Sequence, residues 1–308
     1  MKETIVTEIL KSVKKERVEK PMRVVLVGID GIGKSTFGSQ APAPIFIGAE
    51  DGTSELEVCR YPGEPKSWND IFTAIQVLAT EGHEFKTLVL DTVDWAEPLC
   101  WAHVCSENNW KSMEASPFYR AYGVAQDQWR RLLAALDHLR ATKGMHIILL
   151  GHSIVKTFRN PEGEDYDRYQ LKLHDKSAAL LREWADAVLF ASYETFTVEK
   201  GSRSIGVSNG ARVLHTERRA AFDAKNRYNL PPKLALDWNE FDAAVKARAT
   251  ASSDELRQRI AKMLEELGDA AFAATARTVV DKAGGDPIEL SKIANKVAAR
   301  LGRKQEVA

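Results

Sequence analysis

The chain has 308 residues, 44% of them hydrophobic, with 43 basic and 43 acidic side chains. That length can bury a full α/β core and leave room for a small second unit, while the balanced charge excludes a whole-molecule basic field for nucleic acid or anionic membrane, so any DNA contact must come from a local patch. Three cysteines, no secretory leader pattern and no apolar run near the ~20 residues of a membrane span point to a reducing cytoplasm and no membrane partner.

In chain order, residues 1–20 mix Lys11, Lys14, Lys15 and Arg17 with Glu8, Glu16 and Glu19, the pattern of a charged arm or surface helix. The apolar run Arg23 to Val27 then predicts a buried parallel strand, and Gly28-Ile29-Asp30-Gly31-Ile32-Gly33-Lys34-Ser35 matches the phosphate-loop pattern GxxxxGK[ST] between that strand and a helix starting at Lys34. Gly28, Asp30, Gly31, Ile32 and Gly33 turn backbone N–H groups inward, with Lys34, Ser35 and Thr36 completing the nucleotide site. Lys34 is expected to reach the β- and γ-phosphates of ATP, and the Ser35 hydroxyl to ligate Mg²⁺.

Next come a strand at Pro44 to Gly48, a helix around Trp68 to Ala79, a strand at Thr87 to Asp91, a helix from about Gln126 to Thr142 and a strand at His146 to Leu150. Such alternation predicts βαβ units in a mainly parallel sheet between helices, with ligands beyond the carboxyl ends of the strands. Three of those ends carry polar candidates. Glu50 is placed to polarise the water that attacks the γ-phosphate, with Asp51 as second candidate; Asp91 is either the second Mg²⁺ anchor or a helix N-cap; His152 or Ser153 can sense the γ-phosphate. Cys100, His103 and Cys105 fall in one probable helix at spacings unlike a Cys-x2-Cys pair and are read as helix packing.

Beyond the strand at Leu150, residues 154–158 and 169–173 predict a β-hairpin with Arg168, Gln170, Lys172 and His174 on one face. Lys156, Arg159, Arg168 and Lys172 are its candidate DNA contacts, and Phe158, Tyr166 and Tyr169 could stack on bases, opposed by Glu162, Glu164, Asp165 and Asp167; the alternative is a hairpin that packs on a neighbouring subunit. Lys225 and Arg227 could supply the positive charge that a γ-phosphoryl transition state needs, with Arg218 and Arg219 nearby; otherwise they form a solvated basic turn before Pro231-Pro232. After a core of residues 21–245, residues 250–308 repeat Leu256, Ile260, Met263, Leu264 and Leu267 at helical steps, which predicts a small helical domain.

The ordered set GIDGIGKSTF, PIFIGAEDGT, TLVLDTVDW, IILLGHS, LLREWADAVLF and AFDAKNRYNLP resembles the RecA-like ATPases. More closely, residues 23–238 resemble the phage-encoded P-loop nucleotide-binding family that includes single-strand annealing proteins of the Sak-four type. The resemblance implies a RecA-like P-loop NTPase core, ATP and Mg²⁺ as cofactors, Glu50 as the water-activating glutamate and His152 as the sensor. It also implies that the hairpin is a DNA-binding loop, and that Lys225 and Arg227 match a Lys-x-Arg pair inserted into a neighbour's site in related rings. The expected protein is an ATP-hydrolysing recombination protein that binds single-stranded DNA, assembles with itself as ring or filament and works with a single-strand-binding protein in a bacterial host's cytoplasm. A P-loop small-molecule kinase and a nucleotide-gated scaffold or loader are the alternatives.

Overall fold

Every residue from Val24 to Gly28 is buried, as a strand covered on both faces requires. This strand, β1 (Arg23–Gly28), belongs to a computed structural model that describes residues 20–48, 55–200, 203–228, 230–284, 289–290, 293–294, 296–297 and 300–301. The expected arm over residues 1–20 lies outside these, apart from Lys20.

Around β1 the described chain runs α1 (Lys34–Ser39), β2 (Pro44–Gly48), β3 (Cys59–Arg60), α2 (Trp68–Thr80), β4 (Thr87–Asp91), α3 (Val93–Glu107) and α4 (Ala121–Lys143). It continues through β5 (His146–Phe158), β6 (Tyr166–Leu171), α5 (Asp175–Trp184), β7 (Ala187–Lys200), β8 (Arg203–His215), β9 (Lys225–Asn226) and β10 (Lys233–Ala235). Among the described residues these strands form one sheet in the order β10-β8-β7-β1-β5-β4-β2-β3, with β6 paired to β5 and β9 to β7. β7, β1, β5, β4, β2 and β3 are mutually parallel, and the antiparallel strands are confined to one edge and to the β5–β6 hairpin. The α/β sheet expected from the alternation is therefore present.

Alternation along β1 divides the core into two layers. Val25 and Val27 join Leu88, Leu90, Ile147 and Leu149 against α2, α3, α4 and α5, where Trp68 and Trp129 meet edge to face at 5.1 Å. Burying each such aliphatic side chain contributes ~1.5–3 kcal/mol. On the other face Phe37 of α1 contacts Trp238 and Phe241, at 5.5 and 6.0 Å. Helix α2 starts at a capping box, in which Ser67 accepts from the Asp70 N–H and Asp70 reaches back.

Two elements are longer than the sequence suggests. Helix α4 begins at Ala121 rather than Gln126, because the Ser116 hydroxyl accepts the Ala121 N–H and starts the turn early. Strand β5 does not stop at Leu150 but runs through Gly151, His152 and Ser153 into the hairpin, pairing Ser153 with Leu171 and Phe158 with Tyr166.

The chain divides into two compact units between Ala244 and Val245. In the second, the latter part of α6 (Trp238–Leu267) and α7 (Ala270–Lys282) gather Ile260, Leu264, Ala273, Ala276, Leu290 and Val297 into a separate core, so the apolar stripe expected there packs on its own helices. No helix among the described residues is long and apolar enough to cross a membrane.

Candidate nucleotide site

Strand β1 ends between two neighbours, with Gly28 opposite His152 on β5 and Ala191 on β7. A Cβ at Gly28 would stand 3.0 Å from the Ala191 carbonyl oxygen, so the close packing of β7 on the loop requires glycine. Gly33 closes the loop at φ 107°, a left-handed conformation that a side chain would strain, and its carbonyl accepts the Phe37 N–H at 3.0 Å to open α1. With only six residues in α1, the attraction for an anion rests mainly on the inward N–H groups of the loop.

Lys34 is buried and folds back over this loop, its Nζ donating to the Ile29 carbonyl at 3.0 Å and the Gly28 carbonyl at 3.4 Å. Ser35 donates its hydroxyl to Asp91 Oδ2 at 2.6 Å. Asp91 closes β4, two strands from β1, and is only 3% exposed. A hydroxyl and a buried carboxylate meeting beside a phosphate loop are the hard oxygen ligands that fit Mg²⁺.

His152 lies on β5, the strand between β4, which ends at Asp91, and β1, which enters the loop. Its backbone N–H and Nδ1 reach the two oxygens of Asp94, each at 2.9 Å, while Nε2 stands 3.2 Å from Asp30 Oδ1. Burial alone would push the Asp94 carboxyl up, but the hydrogen bonds from His152 hold it below its ordinary value. Nδ1 is therefore a donor to an ionised Asp94, and both ring nitrogens can donate at once only in the imidazolium.

Two residues here were not found from the sequence. Asp94 stands in the first turn of α3, where an acidic side chain after a strand signals a helix start and hides a contact to His152. Arg212 comes from β8 and brings Nη1 within 3.0 Å of where a Gly33 Cβ would be. Its separation of some 180 residues from the loop leaves no local signal.

Glu50 and Asp51 lie outside the described residues. Lys225 and Arg227 are not brought to the loop of their own chain. They lie beside Ala187 and Val188 at the opposite end of the sheet, with Lys225 Nζ donating to the Arg182 and Glu183 carbonyls and Arg227 paired with Asp186 at 3.3 Å.

In the hairpin, Arg159 and Lys172 are exposed, and Lys156 pairs with Asp175 at 3.1 Å. Arg168 corrects the expected basic face: it is 3% exposed, bound to Asp223 at 2.5 Å and stacked over Phe158, so its charge is spent inside the protein. Cys100 is buried, its thiol pushed up to about 12 by burial, and Cys105 contacts Met113. No group of three or more His, Cys, Asp or Glu among the described residues could hold a metal ion by itself.

A family model described as an AAA domain matches residues 20–228. No curated protein matches the sequence. Among the solved structures that match is the crystal structure of the RadB recombinase, 13% identical, covering 66% of this chain and 84% of that one at a TM-score of 0.35.

Proposed function

The chain belongs to the AAA-domain family of P-loop proteins, and from that premise we propose that it binds and hydrolyses ATP as a RecA-like recombination protein acting on single-stranded DNA. The observation that carries the ATPase reading is the Ser35–Asp91 contact of 2.6 Å beside a loop whose lysine already spans it. On nucleotide binding, Lys34 exchanges the Ile29 and Gly28 carbonyls for phosphate oxygens, a better partner for an ammonium. Ser35 and Asp91 would hold Mg²⁺, which when bound would supply positive charge against the phosphates. Glu50 is proposed as the group that orients water and takes its proton.

His152 supports the DNA reading. The strand that carries it runs without a break into the β5–β6 hairpin, so His152 connects Asp30 on the loop with the strand that forms the hairpin. Exposed Arg159 and Lys172 leave this hairpin a modest cationic surface for phosphates, and binding on it should weaken steeply with salt. The finer reading is a phage annealing or strand-pairing protein of the Sak-four type, assembled as a ring or filament.

The test is steady-state ATP hydrolysis at low salt with and without a long single strand, alongside mass by light scattering. Stimulation by DNA together with ATP-dependent assembly supports the proposal. A monomeric ATPase indifferent to DNA overturns it in favour of a small-molecule phosphoryl acceptor, although the acidic tip with Glu162, Glu164 and Asp165 is poorly suited to clamp phosphates.

A further inference from the structure

A cavity of about 470 Å³ opens beside the phosphate loop along Phe190 to Thr195 of β7, within the ~300–1,000 Å³ of small-molecule sites. Ile29 of the loop forms one wall, and Tyr169 at the foot of the hairpin forms another. Its floor is aromatic: Phe190 and Phe222 stack at 4.5 Å with an interplanar angle of 15°, and His215 lies 4.6 Å from Phe222. Two further rings, Tyr169 and Tyr193, line it while remaining 38% and 36% exposed. Large π-faces left to water beside an aromatic floor are suited to covering by another flat ring.

The rim carries Arg219, Lys233 and Glu194. Arg219 and Lys233 border the cavity, Lys233 being neutralised by Glu194, whereas Arg219 makes no ion pair among the described residues. The nearby Asp223 is already claimed by Arg168, Arg182 and Arg218. Burial, with Arg219 and Lys233 close by, holds His215 below its ordinary value, so a neutral ring lines the floor at physiological pH. A flat aromatic group attached to phosphate, with no carboxylate of its own, meets these demands.

We propose that this cavity takes an unstacked base of a single-stranded nucleic acid, laid on the exposed side of the Tyr169 ring, which packs on Phe190 at 5.2 Å, while Arg219 faces the adjoining phosphate. The inference deepens the single-stranded DNA reading above and rests on it. Nucleotide state reaches the cavity directly, because Lys34 holds the Ile29 carbonyl at 3.0 Å until phosphates draw it away, and Ile29 is part of the wall. The hairpin is tied to the same place: Tyr169 donates its N–H to the Ala221 carbonyl at 2.8 Å.

The experiment uses the full chain with a non-hydrolysable ATP analogue, and compares by fluorescence anisotropy a labelled oligothymidylate with an abasic strand of equal length. Stacking is worth ~1–3 kcal/mol per base, so the wild type should prefer the base-bearing strand about tenfold. Tyr169→Ala should erase that preference and Tyr169→Phe retain it, both remaining folded and with unchanged affinity for a fluorescent ATP. Equal binding of both strands by the wild type, or a preference untouched in Tyr169→Ala, overturns the base pocket and leaves the DNA reading standing. No binding of either strand in any nucleotide state overturns the DNA reading, and the pocket with it. Lost affinity for the fluorescent ATP in a folded Tyr169→Ala places the base of ATP in the cavity and overturns the proposal too.

Discussion

At Asp94 burial and hydrogen bonding oppose one another, and the hydrogen bonds from His152 prevail. A carboxyl held below its ordinary value contributes stability that is present above the unfolded pKa, ~4, and lost as pH falls through the folded value. Removing the imidazole in His152→Ala leaves Asp94 buried with one contact fewer, at a cost of ~1–3 kcal/mol at neutral pH. Burial then dominates and raises the carboxyl, so the acid loss of stability should shrink. Urea midpoints of both proteins between neutral and acid pH check this: the two curves should converge as pH falls, and parallel curves would remove Asp94 from the account. At the loop itself, Lys34→Ala should weaken a fluorescent ATP by at least a hundredfold in equilibrium titration, because Lys34 Nζ is the cation that lies against the Gly28 and Ile29 carbonyls, inside the loop. Normal affinity in that variant would sink the phosphate-loop assignment.

Strand β5 is the element that makes one device out of two expected ones. Its apolar run from Ile147 to Leu150 was legible as a core strand and its polar alternation after Ile154 as a hairpin arm, but Gly151-His152-Ser153 looks like a break. The break is absent because β1 and β4 flank β5 in the sheet and the hairpin partner takes over at Ser153. Sequence periodicity reports local environment, and at these three residues the environment changes from sheet interior to hairpin. Arg168 shows the same limit: alternation placed it on a basic face, but Asp223, 55 residues on, turns it inward. Replacing residues 159–165 by an Asn-Gly turn leaves the ladder from Ser153–Leu171 to Phe158–Tyr166 intact. That variant loses Arg159 together with the opposing Glu162, Glu164 and Asp165, and should keep its basal ATP hydrolysis while its stimulation by a single strand changes, as measured by turnover with and without DNA. Stimulation equal to wild type would relocate the DNA contact away from the hairpin tip.

Across the whole molecule the phosphate loop and Arg227 occupy opposite ends of the sheet, a distance that one chain cannot close and a second copy can. Asp186 collects Arg23 at 2.8 Å, Arg227 at 3.3 Å and Arg140 at 3.4 Å at the amino end of the strands. Burial opposes its charge, but Arg23 holds the carboxyl below its ordinary value. Arg23 and Arg140 satisfy that carboxylate from partly buried positions, whereas the Arg227 side chain is 52% exposed. Lys225 is committed to the last carbonyls of α5, which makes Arg227 the better of the two to reach a neighbour's γ-phosphate. An arginine supplied by a neighbour accelerates transfer ~10³–10⁵-fold. Arg227→Ala should therefore lower turnover by at least two to three orders of magnitude while nucleotide affinity holds and the fold, still anchored by Arg23, survives. Mixing it with Lys34→Ala is the decisive measurement, since each variant retains the half that the other lacks. Activity recovered in the mixture, rising with protein concentration, establishes sites shared between copies; a mixture no better than its parts confines Arg227 to the ion pair with Asp186.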